Sequence, residues 1–388
     1  MGLPQILLKT GRDYSLRRRH PWVFSGAIAG KRGEPQDGAV VEVLSAEGEY
    51  LATGHYHEES IAVRAFSFKR GPIDQDFWNR QIAEAISLRR DLGLLTTEET
   101  NSFRLINGEG DSMPGLIVDL YHQTAVLQFH SRGMAALKNE LATALKQALG
   151  ERLLAVYEKP LEDRNAAGSY LLGERSSNLI HENGLKFEVD WERGQKTGFF
   201  LDQRENRQFL RDVSKDKSVL NCFSYTGGFS VYALAGGAKK VTSVDSSASA
   251  GELLARNIEL NGFRDREQSF INADCLQYLH QPLPGYDIII LDPPAFVKHK
   301  AALNGGLKGY ETINHLAMSQ IEPGGLLFTF SCSQLVSSEM FSEIIANAAT
   351  RAGRKARLIR HLHQGPCHPT SPQHPEGGYL KGLVLRID

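Results

Sequence analysis

From Lys217 to the end of the chain, short apolar runs alternate with helix-like stretches, and that rhythm admits few folds. Strands separated by helices favour a parallel sheet wound on both faces. The strand candidates are Ser218-Val219-Leu220-Asn221, Lys240-Val241-Thr242-Ser243-Val244, Tyr286-Asp287-Ile288-Ile289-Ile290-Leu291 and Gly325-Leu326-Leu327-Phe328-Thr329-Phe330. The closing Gly382-Leu383-Val384-Leu385-Arg386-Ile387 reads as one more strand, at or near a sheet edge. In open α/β sheets ligands collect beyond the carboxyl ends of strands, so the residues after each run are where chemistry is expected.

The region before Lys217 has a different pattern. Up to about Phe68, alternating stretches such as Ala39-Val40-Val41-Glu42-Val43-Leu44 and Ile61-Ala62-Val63-Arg64-Ala65-Phe66 are separated by Gly33, Gly38, Gly48 and Gly54, as in a small β-barrel. Phe77, Ile82, Ala85, Ile86 and Arg89 then recur at helical spacing and predict a helix from Phe77 to Arg90. Residues 115–121 and 124–129 read as a hairpin, and Met134, Leu137, Leu141 and Leu145 as one face of a second helix. A chain of 388 residues is long enough for roughly two or three domains. The divisions expected are 1–72, a barrel; 73–185, a central α+β unit; and 186–388, the doubly wound α/β domain.

The first strand of that last domain runs into Cys222-Phe223-Ser224-Tyr225-Thr226-Gly227-Gly228 and then into a helix-like segment. Glycines let the backbone pass close to a ligand. The next strand ends in Asp245, beside Ser246, where an acid can accept hydrogen bonds from ribose hydroxyls. The turn is not the GxGxxG that receives a pyrophosphate, so an adenosine cofactor without phosphate, S-adenosylmethionine, fits better than a dinucleotide. Asp274, ahead of a short helix, is either a partner for the adenine amine or a helix N-cap.

Two further strand ends carry reactive types. Asp292-Pro293-Pro294-Ala295-Phe296 places a carboxylate on a loop stiffened by prolines, suited to holding the edge of a flat base. Cys332, in Phe330-Ser331-Cys332-Ser333, stands after another strand as a candidate nucleophile. Cys222, Cys275 and Cys367 compete with it, and Cys367 has His368 next to it. No CxxC pair occurs among the four cysteines, which indicates neither a zinc knuckle nor a disulfide framework. No metal is expected.

A net charge of −1 excludes bulk attraction to nucleic acid, so any grip on RNA is local. Arg17-Arg18-Arg19 is the candidate patch, and a solvated loop is the plain alternative. The N-terminus lacks a basic segment followed by a long apolar core, and no apolar run approaches the ~20 residues of a membrane span. The expected location is the cytoplasm, with no membrane partner.

At these residues the chain resembles the 23S ribosomal RNA large-subunit cytosine-C5 methyltransferase family over nearly all its length. Pro21-Trp22-Val23-Phe24-Ser25-Gly26 is similar to the start of that family's N-terminal PUA domain, and Asn107-Gly108-Glu109-Gly110-Asp111 to its central domain. The DPPAF segment, Ser331-Cys332-Ser333 and Pro375-Glu376-Gly377-Gly378-Tyr379-Leu380-Lys381 match its later motifs. The resemblance implies a Rossmann-like class I methyltransferase domain, S-adenosylmethionine as cofactor, and 23S ribosomal RNA or a large-subunit assembly particle as partner, with a homodimer compatible. It also implies that Gln203 and Arg204 help bind cofactor or RNA, and that Cys332 and Asp292 are the catalytic pair. The DPPAF segment has no cysteine, unlike RNA cytosine methyltransferases that keep a second thiol there. A uracil-C5 enzyme, an exocyclic-amine methyltransferase, a dehydrogenase and a non-catalytic RNA-binding module remain as alternatives.

Overall fold

The computed structural model describes residues 2–161, 167–283 and 285–388. They cluster into two compact units: Met1–His181, Val189–Leu201 and Pro366–Gly377 in one, and Glu182–Glu188, Asp202–Gly365 and Gly378–Asp388 in the other.

The first unit opens with β1 (Gln5–Leu8), α1 (Tyr14–Arg17), β2 (Trp22–Phe24), β3 (Ile28–Arg32), β4 (Val40–Leu44), β5 (Tyr50–Tyr56) and β6 (Ile61–Ser67). The strands form one curled sheet in the order β2-β6-β5-β4-β1-β3. The alternation read from the sequence has a physical counterpart, since Val41, Val43, Val63 and Ala65 turn inward onto Ile6 and Leu8. Next comes α2 (Gln75–Asp91), whose first turn is held by the Asp74 carboxylate accepting the Phe77 N–H at 2.9 Å. Its apolar face buries Phe77, Trp78, Ile82, Ala85 and Ile86. That face packs into a core shared with β7 (Ser102–Asn107), β8 (Leu116–Tyr121), β9 (Thr124–Phe129), β10 (Ala155–Glu158) and β11 (Ser169–Leu172), a sheet in the order β11-β10-β9-β8-β7.

The hairpin expected at 115–129 is β8 paired antiparallel with β9. The helix expected through Met134 to Leu145 is instead two, α3 (Arg132–Ala136) and α4 (Lys138–Leu149), because Leu137 leaves helical geometry with ψ 13°. The apolar spacing survives the break, since Met134, Leu141 and Leu145 reach one core. The chain passes to the second unit at Glu182, between β12 (Leu179–Glu182) and β13 (Leu185–Glu188), returns at Val189, and leaves again after Leu201.

The second unit contains α5 (Arg204–Val213), β14 (Ser218–Cys222), α6 (Gly228–Ala235), β15 (Lys240–Asp245), α7 (Ala248–Leu260), β16 (Gln268–Asn272), α8 (Cys275–Leu279), β17 (Ile288–Leu291), α9 (Leu303–Gln320), β18 (Gly325–Ser331), α10 (Ser338–Arg351), β19 (Ala356–Leu362) and β20 (Lys381–Ile387). Its seven-stranded sheet runs β16-β15-β14-β17-β18-β20-β19. The first five strands in that order are parallel, and β20 runs antiparallel between β18 and β19. β20 therefore lies one strand in from an edge. The two edge strands, β16 and β19, escaped the sequence reading because most of their residues are polar or exposed.

The sequence order of the strands reverses at β14, which pairs with β15 on one side and β17 on the other. Such a switch point opens a crevice at the carboxyl ends of the strands. The glycine turn after β14 and the Asp292 loop after β17 both start there.

Candidate active site

The loop after β14 is strained in a way that exposes its function. Phe223 and Tyr225 adopt left-handed backbone, with φ 58° and 45°, at a cost of about 1–2 kcal/mol each. The surroundings hold them there: the Phe223 N–H donates to Cys275 Sγ at 3.1 Å, and the Tyr225 N–H donates to Asp245 Oδ2 at 2.8 Å. Asn257 Nδ2 donates to the Thr226 carbonyl at 2.9 Å, so a helix-end residue of α7 clamps the turn. Gly227, at φ 81°, precedes α6 as its N-cap, so close to Leu254 that a Cβ would fall 2.6 Å from its Cγ. Only glycine meets both demands.

The residues present fit S-adenosylmethionine. Ser224 Oγ is buried in this turn with no hydrogen-bond partner among the described residues, an arrangement a polar ligand would satisfy. Asp245 accepts the Ser247 N–H on Oδ1 at 2.9 Å as well as that of Tyr225, which fixes the carboxylate while leaving lone pairs for two ribose hydroxyls. Ser246 beside it is exposed and Gly228 opens α6. Asp274 caps α8 by accepting the Gln277 N–H at 2.9 Å. It also lines, with Phe223, Leu276, Phe296 and Gly306, a groove of about 680 Å³, so capping does not remove it from the cofactor side.

The second half of the site is built by β17, β18 and α9. Asp292 is half-buried and its Oδ2 accepts from Gln203 Nε2 at 3.1 Å, which brings together two residues distant in sequence. Gln203 is in turn braced by Asn206, whose Nδ2 donates to its Oε1 at 2.6 Å. Arg204 is differently engaged: it is buried with Nε 3.4 Å from Glu182 Oε2, beside Arg207, which grips the same carboxylate at 2.9 and 2.8 Å. This protein carboxylate accounts for its burial.

Cys332 follows β18, with Sγ 3.9 Å from the Pro293 carbonyl of the Asp292 loop. The two motifs are locked together through Ser333, whose Oγ accepts the Val297 N–H at 3.1 Å and lies 2.9 Å from the Tyr310 hydroxyl. Burial raises the Tyr310 pKa. Helix α9 can approach the DPPAF segment because of its glycines: a Cβ on Gly306 would fall 2.3 Å from Val297 Cγ2 and 2.9 Å from the Phe296 carbonyl oxygen.

Among the cysteines, Cys332 alone is partly exposed. Cys222 is fully buried, and a hydrogen bond with Cys275, followed by desolvation, pushes its pKa up. Cys367 belongs to the first unit, where it is buried with Sγ 3.2 Å from His368 Nδ1. Neither is suited to attack a ligand.

The Arg17-Arg18-Arg19 run divides. Arg17 bridges Asp13 and Glu49, each at 2.6 Å, while exposed Arg18 and Arg19 lie over the rings of Tyr14 and Phe68 at 5.4 and 5.2 Å. One set of metal-type side chains meets among the described residues: His20, His374 and Glu376, with ligand atoms within 4.8 Å of one another. The Trp22 N–H donates to His20 Nδ1 at 3.2 Å, so a neutral ring keeps its proton on Nε2, facing Glu376 at 3.4 Å. His374 Nε2 is buried without a hydrogen-bond partner among the described residues and lies 3.8 Å from Glu376 Oε2.

The sequence reading missed Tyr310, Ser333, Tyr379 and Lys381. Tyr379 donates its hydroxyl to Asp202 Oδ2 at 2.5 Å, and Lys381 Nζ donates to the carbonyls of Ser333 and Tyr379, each at 2.7 Å. The signals in the sequence were the terminal motif for Tyr379 and Lys381 and the cysteine motif for Ser333, with none for Tyr310.

A family model for S-adenosylmethionine-dependent methyltransferases matches residues 113–386, and one for a PUA-like domain matches residues 6–68. The chain is 41% identical over 395 residues to the ribosomal RNA large subunit methyltransferase I of Alteromonas mediterranea, covering 99% of this chain and 98% of that one. It is 42% identical over 398 residues to the protein of that name from Vibrio cholerae, covering 99% of each. A solved Streptococcus mutans protein of the S-adenosylmethionine-dependent methyltransferase type superposes with a TM-score of 0.86 over 98% of this chain and 99% of its own, at 24% identity, a likeness of fold. The cofactor is S-adenosylmethionine. The chain belongs to the ribosomal RNA large subunit methyltransferase I family, S-adenosylmethionine-dependent methyltransferases with a PUA-like domain.

Proposed function

We propose that this protein methylates C5 of a cytosine in 23S ribosomal RNA, with Cys332 as the nucleophile and Asp292 as the group that holds the base. The observation that carries the reading is the partly exposed Cys332 against the Asp292-Pro293 loop, beside a cofactor turn. C5 of a pyrimidine is a poor nucleophile until a thiolate adds to C6 and moves electron density to C5. Bound S-adenosylmethionine supplies the electrophilic methyl group. A base then removes the C5 proton, the ring double bond re-forms and the C6–S bond breaks, returning Cys332. Asp292, oriented by Gln203, accepts a hydrogen bond from the exocyclic amine on the N3 edge of a base extruded into the site.

The target is presented by residues 1–72 as an RNA-binding domain, with 73–185 as a central domain and 186–388 as the methyltransferase domain. Arg18 and Arg19 contact phosphate, and Arg17 does so weakly because Asp13 and Glu49 hold it. The substrate is naked RNA or a large-subunit assembly particle in the cytoplasm.

The test is to incubate the protein with methyl-labelled S-adenosylmethionine and undermodified ribosomal RNA, then identify the labelled nucleoside by mass spectrometry. Labelled 5-methylcytidine supports the assignment. Label on uridine or on an exocyclic amine overturns it, and cofactor binding without label on any RNA favours a binding module.

A further inference from the structure

We propose that Lys381 is the charge partner of Cys332, an ammonium fixed beside the sulfur by β20 that keeps it a thiolate before the RNA base arrives. The inference rests on the nucleophile reading above and goes further, because it says how the thiol becomes reactive.

The geometry comes from sheet register. β20 runs antiparallel to β18 and sets Lys381 opposite Ser331, the residue before Cys332. The lysine side chain then reaches the residue after it, donating from Nζ to the Ser333 carbonyl at 2.7 Å and to the Tyr379 carbonyl at 2.7 Å. Lys381 thus engages the chain on both sides of the cysteine. An ammonium has three N–H donors, and the third has no hydrogen-bond partner among the described residues.

This lysine is in an unusual place for its type. Only 9% of it is exposed, and Lys is rarely buried without a carboxylate. Among the described residues no carboxylate bonds it; its partners are two carbonyls. Burial lowers its pKa to about 8, opposed by the negative charge of the Cys332 thiolate. It therefore keeps its proton at neutral pH, and a thiolate nearby is the one counter-charge that makes its burial favourable.

The other groups around Cys332 do not substitute for it. Tyr310, from α9, has its pKa raised chiefly by burial and further by the Cys332 charge, so it stays a neutral hydroxyl. The loop after β17 brings the Pro293 carbonyl and the Asp292 carboxylate, neither of which favours a thiolate. Residues 333–337, leading to α10, carry no charge. When the thiol ionises, its proton passes to water and the pair is left as thiolate and ammonium. Lys381 acts through Cys332 and is a positioning residue, with no contact to substrate required.

The experiment follows alkylation of Cys332 by iodoacetamide in the full-length protein from about pH 5 to 10, quantified on the Cys332 peptide by mass spectrometry. In the unmodified protein the midpoint is expected at least about one unit below the ~8.5 of a free thiol. Lys381→Met raises it by about one unit or more, and Lys381→Arg, which keeps the charge, stays within about half a unit of the unmodified protein. The acid limb of the kcat profile shifts with the midpoint, while KM for S-adenosylmethionine stays put. A midpoint at or above ~8.5 in the unmodified protein overturns the inference even where Lys381→Met does not fold. So does a Lys381→Met protein, folded by circular dichroism, whose midpoint is unmoved. Cys332→Ala separates the two readings: retained methyl transfer sinks the nucleophile itself, whereas lost transfer with an unshifted thiol sinks only the role of Lys381.

Discussion

Two strand ends of one sheet carry cysteine and treat it in opposite ways. At the end of β14, Cys222 is fully buried against another thiol, Cys275, and its pKa is driven up. Just past the end of β18, Cys332 is partly exposed, with the Pro293 carbonyl in front and a buried ammonium behind. Residue type is the same, and the strand positions differ by one residue. What differs is the company: the thiol pair stabilises the neutral form and braces the cofactor turn, since Cys275 Sγ also accepts the Phe223 N–H at 3.1 Å. Reactivity follows from the neighbours of a sulfur, not from its place on the rim.

The sharpest way to break this comparison is to delete each sulfur in turn. Cys332→Ala should lower methyl transfer by about 10³-fold or more while leaving the S-adenosylmethionine dissociation constant nearly unchanged by calorimetry. Cys222→Ala should instead lower the denaturant midpoint, by about 1 kcal/mol of stability, and keep most of the turnover. Equal loss of kcat in both variants, with equal stability, would erase the distinction.

Next in size is the cofactor arm. Asp245→Ala removes an acceptor of the Tyr225 and Ser247 N–H groups and, on the role proposed for it, of the ribose, and should weaken cofactor binding roughly 10- to 100-fold on the usual worth of charge-assisted hydrogen bonds. An unchanged affinity would take the ribose role away. Gly227→Ala forces a Cβ against Leu254 at a left-handed position and should cost about 1–3 kcal/mol, read from urea unfolding. Full stability in that variant would show that the turn relaxes and is not over-determined.

The smallest effect concerns RNA. Replacing Arg18 and Arg19 together should flatten the salt dependence of RNA binding by about 0.7 to 0.9 per lost phosphate contact, whereas Arg17→Ala alone, already neutralised by Asp13 and Glu49, should change it little. A larger effect from Arg17 would reverse that ranking.

How far the sequence could be read depended on whether a feature was local. The glycine turn, Asp245, the DPPAF loop and Cys332 each sit in a contiguous strand-then-loop stretch, and apolar runs such as Ile288 to Leu291 announce buried parallel strands directly. Strand β16, Gln268–Asn272, and strand β19, Ala356–Leu362, were illegible because edge strands have one unpaired side and do not need an apolar run. Arg204, expected to help bind cofactor or RNA, has a carboxylate partner, Glu182, in a different stretch of chain. Gln203 was expected to help bind cofactor or RNA, and nothing between the two positions in the sequence indicates the 3.1 Å bond that joins it to Asp292.

The sequence by itself determined which strands end in chemistry, and with that the cofactor type and the family, because periodicity and turn residues act over a few neighbours. Only the tertiary structure decided which cysteine is accessible, where each arginine directs its charge, and that Lys381 stands opposite Ser331. Strand pairing and burial are set by the whole sheet: β20 must run antiparallel to β18 to bring Lys381 there, and a shift of one residue in register would point its side chain to the opposite face.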